Sequence, residues 1–257
     1  MNLIKKVAGH VYFFTGILMF FVTMLPIAFV PCLISLLIKE PYRARIVHPA
    51  CRIWMGIFMP LMGCPVSRKG KKHFKKDANY VVVVNHSSLV DIPVSTPWIP
   101  GPNKTLAKVE FAKMPFFGVI YRAGSILVNR DDEASRKESF TKMQQTLKQG
   151  INLCLYPEGT RNKTAQPLIP FYDGAFVVAI RAQKPIVPAV ILGTKPILPG
   201  KPKFWARPHA IQYHFLEPIE TTGMTLGQRD ELKDKVYNIM QQFIIQNTAK
   251  ASQAWIS

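Results

Sequence analysis

The sequence predicts an α/β fold: a central, mainly parallel sheet flanked by helices, with an N-terminal membrane-associating helical segment in front of it. Three observations carry this expectation. Strand-type and helix-type segments alternate from Tyr80 onward, the pattern of a parallel sheet with helical crossovers. The run Tyr80-Val81-Val82-Val83-Val84 is apolar throughout and reads as a strand buried on both faces. Residues 11–38 carry no charge at all. We place the helical segment at 1–67 and the α/β domain at 68–257.

Within the first segment, Val11 to Val30 is diluted only by Thr15, Gly16, Thr23 and Pro26. A helix of that length matches the hydrocarbon thickness of a bilayer, about 30 Å. Lys5 and Lys6 resemble the start of a signal peptide, but the apolar run is too long and no small-residue cleavage site follows. Pro26 and Pro31 interrupt the run, and basic residues flank both ends, so charge does not choose an orientation. A spanning helix and a re-entrant hairpin both fit. From Ile46 to Met62, Val47, Cys51, Trp54, Phe58 and Leu61/Met62 recur at helical spacing, an amphipathic helix that can pack on the domain, lie on lipid, or do both. Arg68 to Lys76 is strongly basic and reads either as a contact for anionic headgroups or as a solvated linker.

The domain follows in order. Strands are expected at 80–84, 104–108, 124–128, 151–155, 186–192 and 209–216, and helices at 91–98, 132–149, 172–183 and 225–250. The 132–149 helix opens on Asp131, Asp132 and Glu133, which suit the positive end of a helix, and stops at Gly150. Residues 193–208, rich in Pro, Gly and Lys, read as a loop.

Composition narrows the function. Against 15 Asp+Glu stand 33 Lys+Arg, a formal net charge of +18. Such a surface attracts phosphates, anionic lipid or acidic proteins. Nucleic acid is disfavoured, because the basic residues are scattered and no recognised binding motif contains them. The four cysteines, Cys32, Cys51, Cys64 and Cys154, show no C-x-x-C spacing and read as free thiols in a reducing compartment. No Cys/His cluster has ligand spacing, so neither metal nor cofactor is expected.

The chemistry concentrates where strands end. Asn85-His86-Ser87-Ser88-Leu89-Val90-Asp91 follows the valine run directly. In a continuous helix His86 and Asp91 would point roughly 140° apart. They meet only if the chain turns between them, and Ser87 and Ser88 favour such a turn. Asp91 would then accept the Nδ1 proton of His86 and leave Nε2 as a base. Lys108, Arg130 and Arg161 each sit at or beyond another strand end, where cations from separate loops can clamp a phosphate. Gly159 lets the backbone approach a ligand, Thr160 adds a hydroxyl, and Glu158 can hold Arg161 or accept a proton from a polyol hydroxyl.

Taken together and in this order, the residues resemble the 1-acylglycerol-3-phosphate acyltransferase family of the glycerolipid acyltransferases. Its N-H-x4-D motif matches Asn85, His86 and Asp91; G-x-I-x-x-x-R matches Gly124, Ile126 and Arg130; F/Y-P-E-G-T-R matches Tyr156 to Arg161. An apolar run around a proline matches Ile186-Val187-Pro188-Ala189-Val190. The resemblance covers roughly residues 68–220. It implies a glycerol-3-phosphate acyltransferase-like fold, catalysis by His86 and Asp91, and acceptor binding by Lys108, Arg130, Glu158, Gly159, Thr160 and Arg161. It further implies acyl transfer from acyl-CoA or acyl-carrier protein to the sn-2 hydroxyl of lysophosphatidate, at the cytoplasmic face of the inner (plasma) membrane among membrane lipids. Another lyso-lipid acceptor, such as a lyso-ornithine lipid or a lysophospholipid, and a lipid hydrolase are the alternatives.

Overall fold

The structure is a computed structural model and describes residues 2–253. Its N-terminal helix α1 (Leu3–Met24) continues through one wide π-turn (Leu25–Phe29) into α2 (Val30–Ser35). Pro26 lies in the first positions of the π-turn and Pro31 in those of α2, so neither proline breaks the rod. The rod has 33 residues, about 50 Å at 1.5 Å per residue. α3 (Tyr42–Leu61) turns back antiparallel to it: Thr23 and Phe20 meet Trp54, Phe20 also meets Phe58, and Tyr12 donates to the carbonyl of Met62 at 2.5 Å. The hairpin is therefore formed by the whole apolar rod against α3, not inside residues 11–38.

Among the described residues the sheet has seven strands: β1 (Val66–Lys69), β2 (Val81–Val84), β3 (Asn103–Lys108), β4 (Ser125–Val128), β5 (Asn152–Leu155), β6 (Ile186–Leu192) and β7 (Ile211–Phe215). Their order is β1-β7-β6-β2-β5-β3-β4. β6 through β4 are parallel neighbours; β7 runs antiparallel to β6, and β1 pairs parallel with β7. The expected boundary at residue 68 falls inside β1. Five carboxyl ends, those of β2, β3, β4, β5 and β6, thus open on one edge.

The valine run shows why this sheet sits in the middle of the molecule. Val82 and Val84 pack with Trp54, Met55, Met59 and Tyr213 on one face. Val81 and Val83 pack on the other with α6 (Glu133–Lys148), α7 (Gly174–Ala182) and α8 (Arg229–Gln253). All four valines are fully buried, each contributing about 1.5–3 kcal/mol of apolar transfer. The first face is covered by α1, α3 and α4 (Asp91–Trp98), so the N-terminal helices share the core of the sheet. α6 starts as expected, with Asp132 accepting from Ala134 N at 3.0 Å.

Two elements differ from the sequence expectation. β1 alternates half-buried and exposed residues and carries one apolar side chain among four, so an edge strand is hidden in a basic stretch. α5 (Phe117–Gly124) is eight residues long and holds two glycines, too short and too Gly-rich to register as helical, and is stabilised instead by packing of Val119 and Ala123 on Val47 and Cys32.

Candidate active site

β2 leaves the sheet at Asn85, whose side chain replaces the lost backbone pairing. It accepts from Ile191 N at 2.7 Å and donates to Ile191 O at 3.1 Å. The next residues form the tight turn the spacing demands, and α4 begins at Asp91. Asp91 is fully buried. Its Oδ2 accepts from Ser87 N at 2.6 Å and Ser88 N at 2.7 Å, and bonds His86 Nδ1 at 2.9 Å. Its Oδ1 accepts from the hydroxyl of Thr194 at 2.5 Å. With Nδ1–H donated to Asp91, His86 Nε2 carries the free lone pair. The ring stacks on Tyr156, centroids 4.4 Å apart, and Tyr156 in turn shares a 2.6 Å hydrogen bond with Ser95.

The loop after β5 grips His86 from the other side. His86 N donates to Glu158 Oε1 at 2.7 Å, and Asn162 N donates to His86 O at 2.7 Å. Glu158 Oε2 accepts from Ile169 N at 3.1 Å. Both oxygens of this carboxyl, 1% exposed, are thus directed at backbone N–H groups. Burial pushes its pKa from 4.5 up to about 7, against the pull of the two N–H bonds. Because the folded value lies above the unfolded one, the stabilising contribution is fully present below 4.5 and lost as pH rises through 7. Thermal unfolding between pH 5 and 8 should show this loss, on the order of 3 kcal/mol at most, and a Glu158→Gln chain should lack it. A wild-type slope no steeper than the variant's would refute it.

The expected cations occupy the same sheet edge. Lys108 ends β3 and is exposed. The Arg130 guanidinium, two residues past β4, donates to the carbonyl of Gly159, and Arg136 donates to the carbonyl of Arg130 at 2.7 Å. Thr160 is exposed and Arg161 half-buried after β5. Strand order puts β5 next to β2, then β3, then β4, so the three cations lie to one side of His86. Gly159 has φ +65°, and a Cβ there would come within 2.7 Å of the Tyr172 ring. The positive φ favours glycine there, and any side chain would also have to displace the exposed Tyr172 ring. Among the described residues, no three His, Cys, Asp or Glu side chains group as a metal site.

Sequence reasoning missed Thr194. It is fully buried and stands two residues beyond β6, after Gly193 with φ +90°. The signal available was a Gly-Thr pair at the carboxyl end of an apolar strand. The stacking of Tyr156 on His86 was also not foreseen, because an aromatic beside a proline reads as a turn.

A family model described as Acyltransferase matches residues 65–192. The 1-acyl-sn-glycerol-3-phosphate acyltransferase alpha of Mus musculus is 31% identical over 182 residues, 70% of this chain and 64% of its own length. The 1-acyl-sn-glycerol-3-phosphate acyltransferase of Cocos nucifera is 33% identical over 167 residues, 64% of this chain and 53% of its own. That of Limnanthes alba is 30% identical over 207 residues, 79% of this chain and 72% of its own. The chain thus spans less than two thirds of the first two relatives. The crystal structure of the 1-acyl-sn-glycerophosphate (LPA) acyltransferase PlsC from Thermotoga maritima superposes with a TM-score of 0.76 at 22% identity, covering 97% of this chain and 98% of that one. The likeness extends over the N-terminal helices as well as the sheet.

Proposed function

The chain belongs to the 1-acyl-sn-glycerol-3-phosphate acyltransferase family, and from that premise we propose that it transfers a fatty acyl group from acyl-CoA or acyl-carrier protein to the sn-2 hydroxyl of lysophosphatidate, making phosphatidate. The observation that carries the reading is the His86–Asp91 pair at 2.9 Å, on the sheet edge that also bears Lys108, Arg130 and Arg161.

His86 Nε2 takes the proton of the acceptor hydroxyl as that oxygen bonds to the thioester carbonyl carbon. The buried Asp91 holds the Nδ1–H tautomer and stabilises the imidazolium that forms. The tetrahedral intermediate collapses, the C–S bond breaks, and the leaving sulfur takes the proton back from Nε2. Transfer is direct: Ser88 Oγ accepts from Val90 N and Ser87 Oγ lies 3.5 Å from Thr194, so neither hydroxyl bonds His86 as a nucleophile would. Lys108, Arg130 and Arg161, with Gly159 and Thr160, hold the acceptor phosphate. The bond from Arg130 to the Gly159 carbonyl aims that guanidinium at the same loop. Glu158 joins this loop to the backbone of the base, so acceptor binding and base position are mechanically linked.

The lipid substrate is met at a membrane surface. The rod α1–α2 exposes Ile4, Val11, Phe14, Leu18 and Val22, while Met24, Ala28 and Cys32 are buried against the domain. Bonds from Trp205 Nε1 to Lys5 O and from Ala206 N to Gly9 O tie it down near its start as well. A rod bound to the domain over its length lies along the leaflet instead of crossing it alone. Leu89, in the catalytic turn itself, is about half exposed and apolar. We place the domain at the cytoplasmic face, where both thioester donors occur.

Purified protein assayed on lysophosphatidate with each donor tests this. Arg161→Ala should raise the KM for lysophosphatidate about tenfold or more with kcat little changed. If wild type acylates a phosphate-free monoacylglycerol equally well, the phosphate clamp is wrong. Release of thiol from the thioester without any acceptor would identify a hydrolase.

A further inference from the structure

α3 presents three faces. Trp54, Phe58 and Met62 meet α1. Ile53, Ile57 and Leu61 point outward, each about half exposed, and extend the apolar surface of the rod. Arg52 and Gly56, on the remaining face, meet the far end of α4. There Arg52 Nε donates to Pro97 O at 2.8 Å and its Nη2 to Ile99 O at 2.9 Å, which holds the guanidinium beside Trp98. The guanidinium of Arg68, from β1, lies over the Trp98 ring at 4.4 Å. Lys71, exposed and three residues beyond Arg68 in the tight turn that follows β1, completes the group, and its pKa is lowered by burial and by the charges of Arg68 and Arg52. Arg52 is itself lowered by burial and by Arg68.

Among the described residues, none of these three cations forms an ion pair with a carboxylate. Two guanidiniums and an ammonium thus stand about Trp98, none of them paired with a carboxylate among the described residues. The group borders the outward stripe of α3. When an apolar face is seated in a lipid surface, its rim lies at the depth of the headgroup phosphates. α4 separates it from the catalytic turn by about 10 Å of helix axis.

We propose that Arg52, Arg68 and Lys71, gathered about Trp98, form a cradle for the phosphate of an anionic phospholipid headgroup, distinct from the site at His86, and that it directs the protein to negatively charged leaflets. Guanidinium and phosphate pair through two parallel hydrogen bonds, and the stack on Trp98 holds the Arg68 guanidinium in place. Lys71 adds a point charge at the solvent side.

The test is flotation of the full chain with vesicles of phosphatidylcholine alone or with one quarter phosphatidylglycerol. Arg52 is left in place, because it also holds two carbonyls. Each basic residue at an anionic surface contributes about fivefold in partitioning. Arg68→Gln with Lys71→Gln should therefore weaken binding to the mixed vesicles about 25-fold and leave binding to phosphatidylcholine unchanged. Arg68→Lys with Lys71→Arg should recover most of the Lys71 share but not the stacked guanidinium. The control Lys148→Gln with Lys235→Gln removes the same charge from exposed positions elsewhere and should cost under threefold. An equal loss in the control would mean that net charge alone acts, and would overturn the cradle. So would unchanged binding of the first variant, or failure of wild type to prefer mixed vesicles. A rise in KM for acyl-CoA with vesicle binding intact would reassign the cluster to the phosphates of the donor.

Discussion

Replacing His86 by alanine should lower kcat by about a thousandfold or more while the chain stays folded. A positioned general base is worth on the order of 10²–10⁴ in rate, and among the described residues no other base is bonded to Asp91 to take over. Two carboxyls adjoin His86: Asp91 is fully buried with its oxygens engaged by Ser87 N, Ser88 N and Thr194, and both oxygens of Glu158 are engaged by the N–H groups of His86 and Ile169. The structural loss is small. The ring contributes a stack on Tyr156 and one hydrogen bond to Asp91, together about 1–2 kcal/mol. Steady-state rates on lysophosphatidate and a thermal melt of the same preparation check both halves. Retained activity in a folded His86→Ala chain would end the general-base mechanism.

Asp91 gives the second large effect, and here two substitutions separate chemistry from folding. In Asp91→Asn the amide oxygen can face the three donors now on Oδ2, while the NH₂ turns to Thr194, whose hydroxyl must reverse to accept it. The turn survives, but the imidazolium loses its counter-charge. A rate loss of about 10²–10⁴ at nearly unchanged melting temperature is expected. Asp91→Ala removes the carboxylate to which Ser87 N, Ser88 N and the Thr194 hydroxyl donate, in a fully buried position. Each unmet group costs about 1–3 kcal/mol, so this chain should be destabilised by several kcal/mol. An Asp91→Asn chain with wild-type rates would show that the carboxylate serves only the turn.

How far the sequence reaches depends on how local the physics is. The valine strand and the helix at 91–98 follow from short-range pattern, and the structure places both where the residues indicate. The convergence of Arg130 on Gly159 was accessible only through motif order, because the two residues lie 29 apart in the chain. Thr194 lies 103 residues from Asp91, in a stretch that reads as loop, and no local pattern announces a hydroxyl buried under a carboxylate. β1 shows the same limit from another side: its pairing with β7 supplies the stability that its own composition lacks. The passage of the rod through Pro26 depends on a single wider turn, a choice that side-chain pattern does not encode.

On the proposed function, the long rod bound lengthwise to the domain changes what concentration means for this protein. An acceptor delivered from within the leaflet arrives by lateral diffusion in two dimensions. The quantity that then governs occupancy of the catalytic edge is the mole fraction of acceptor among neighbouring lipids, while the proposed thioester donor, arriving from water, is still counted in molarity. Diluting the bilayer with inert lipid starves one substrate and leaves the other untouched.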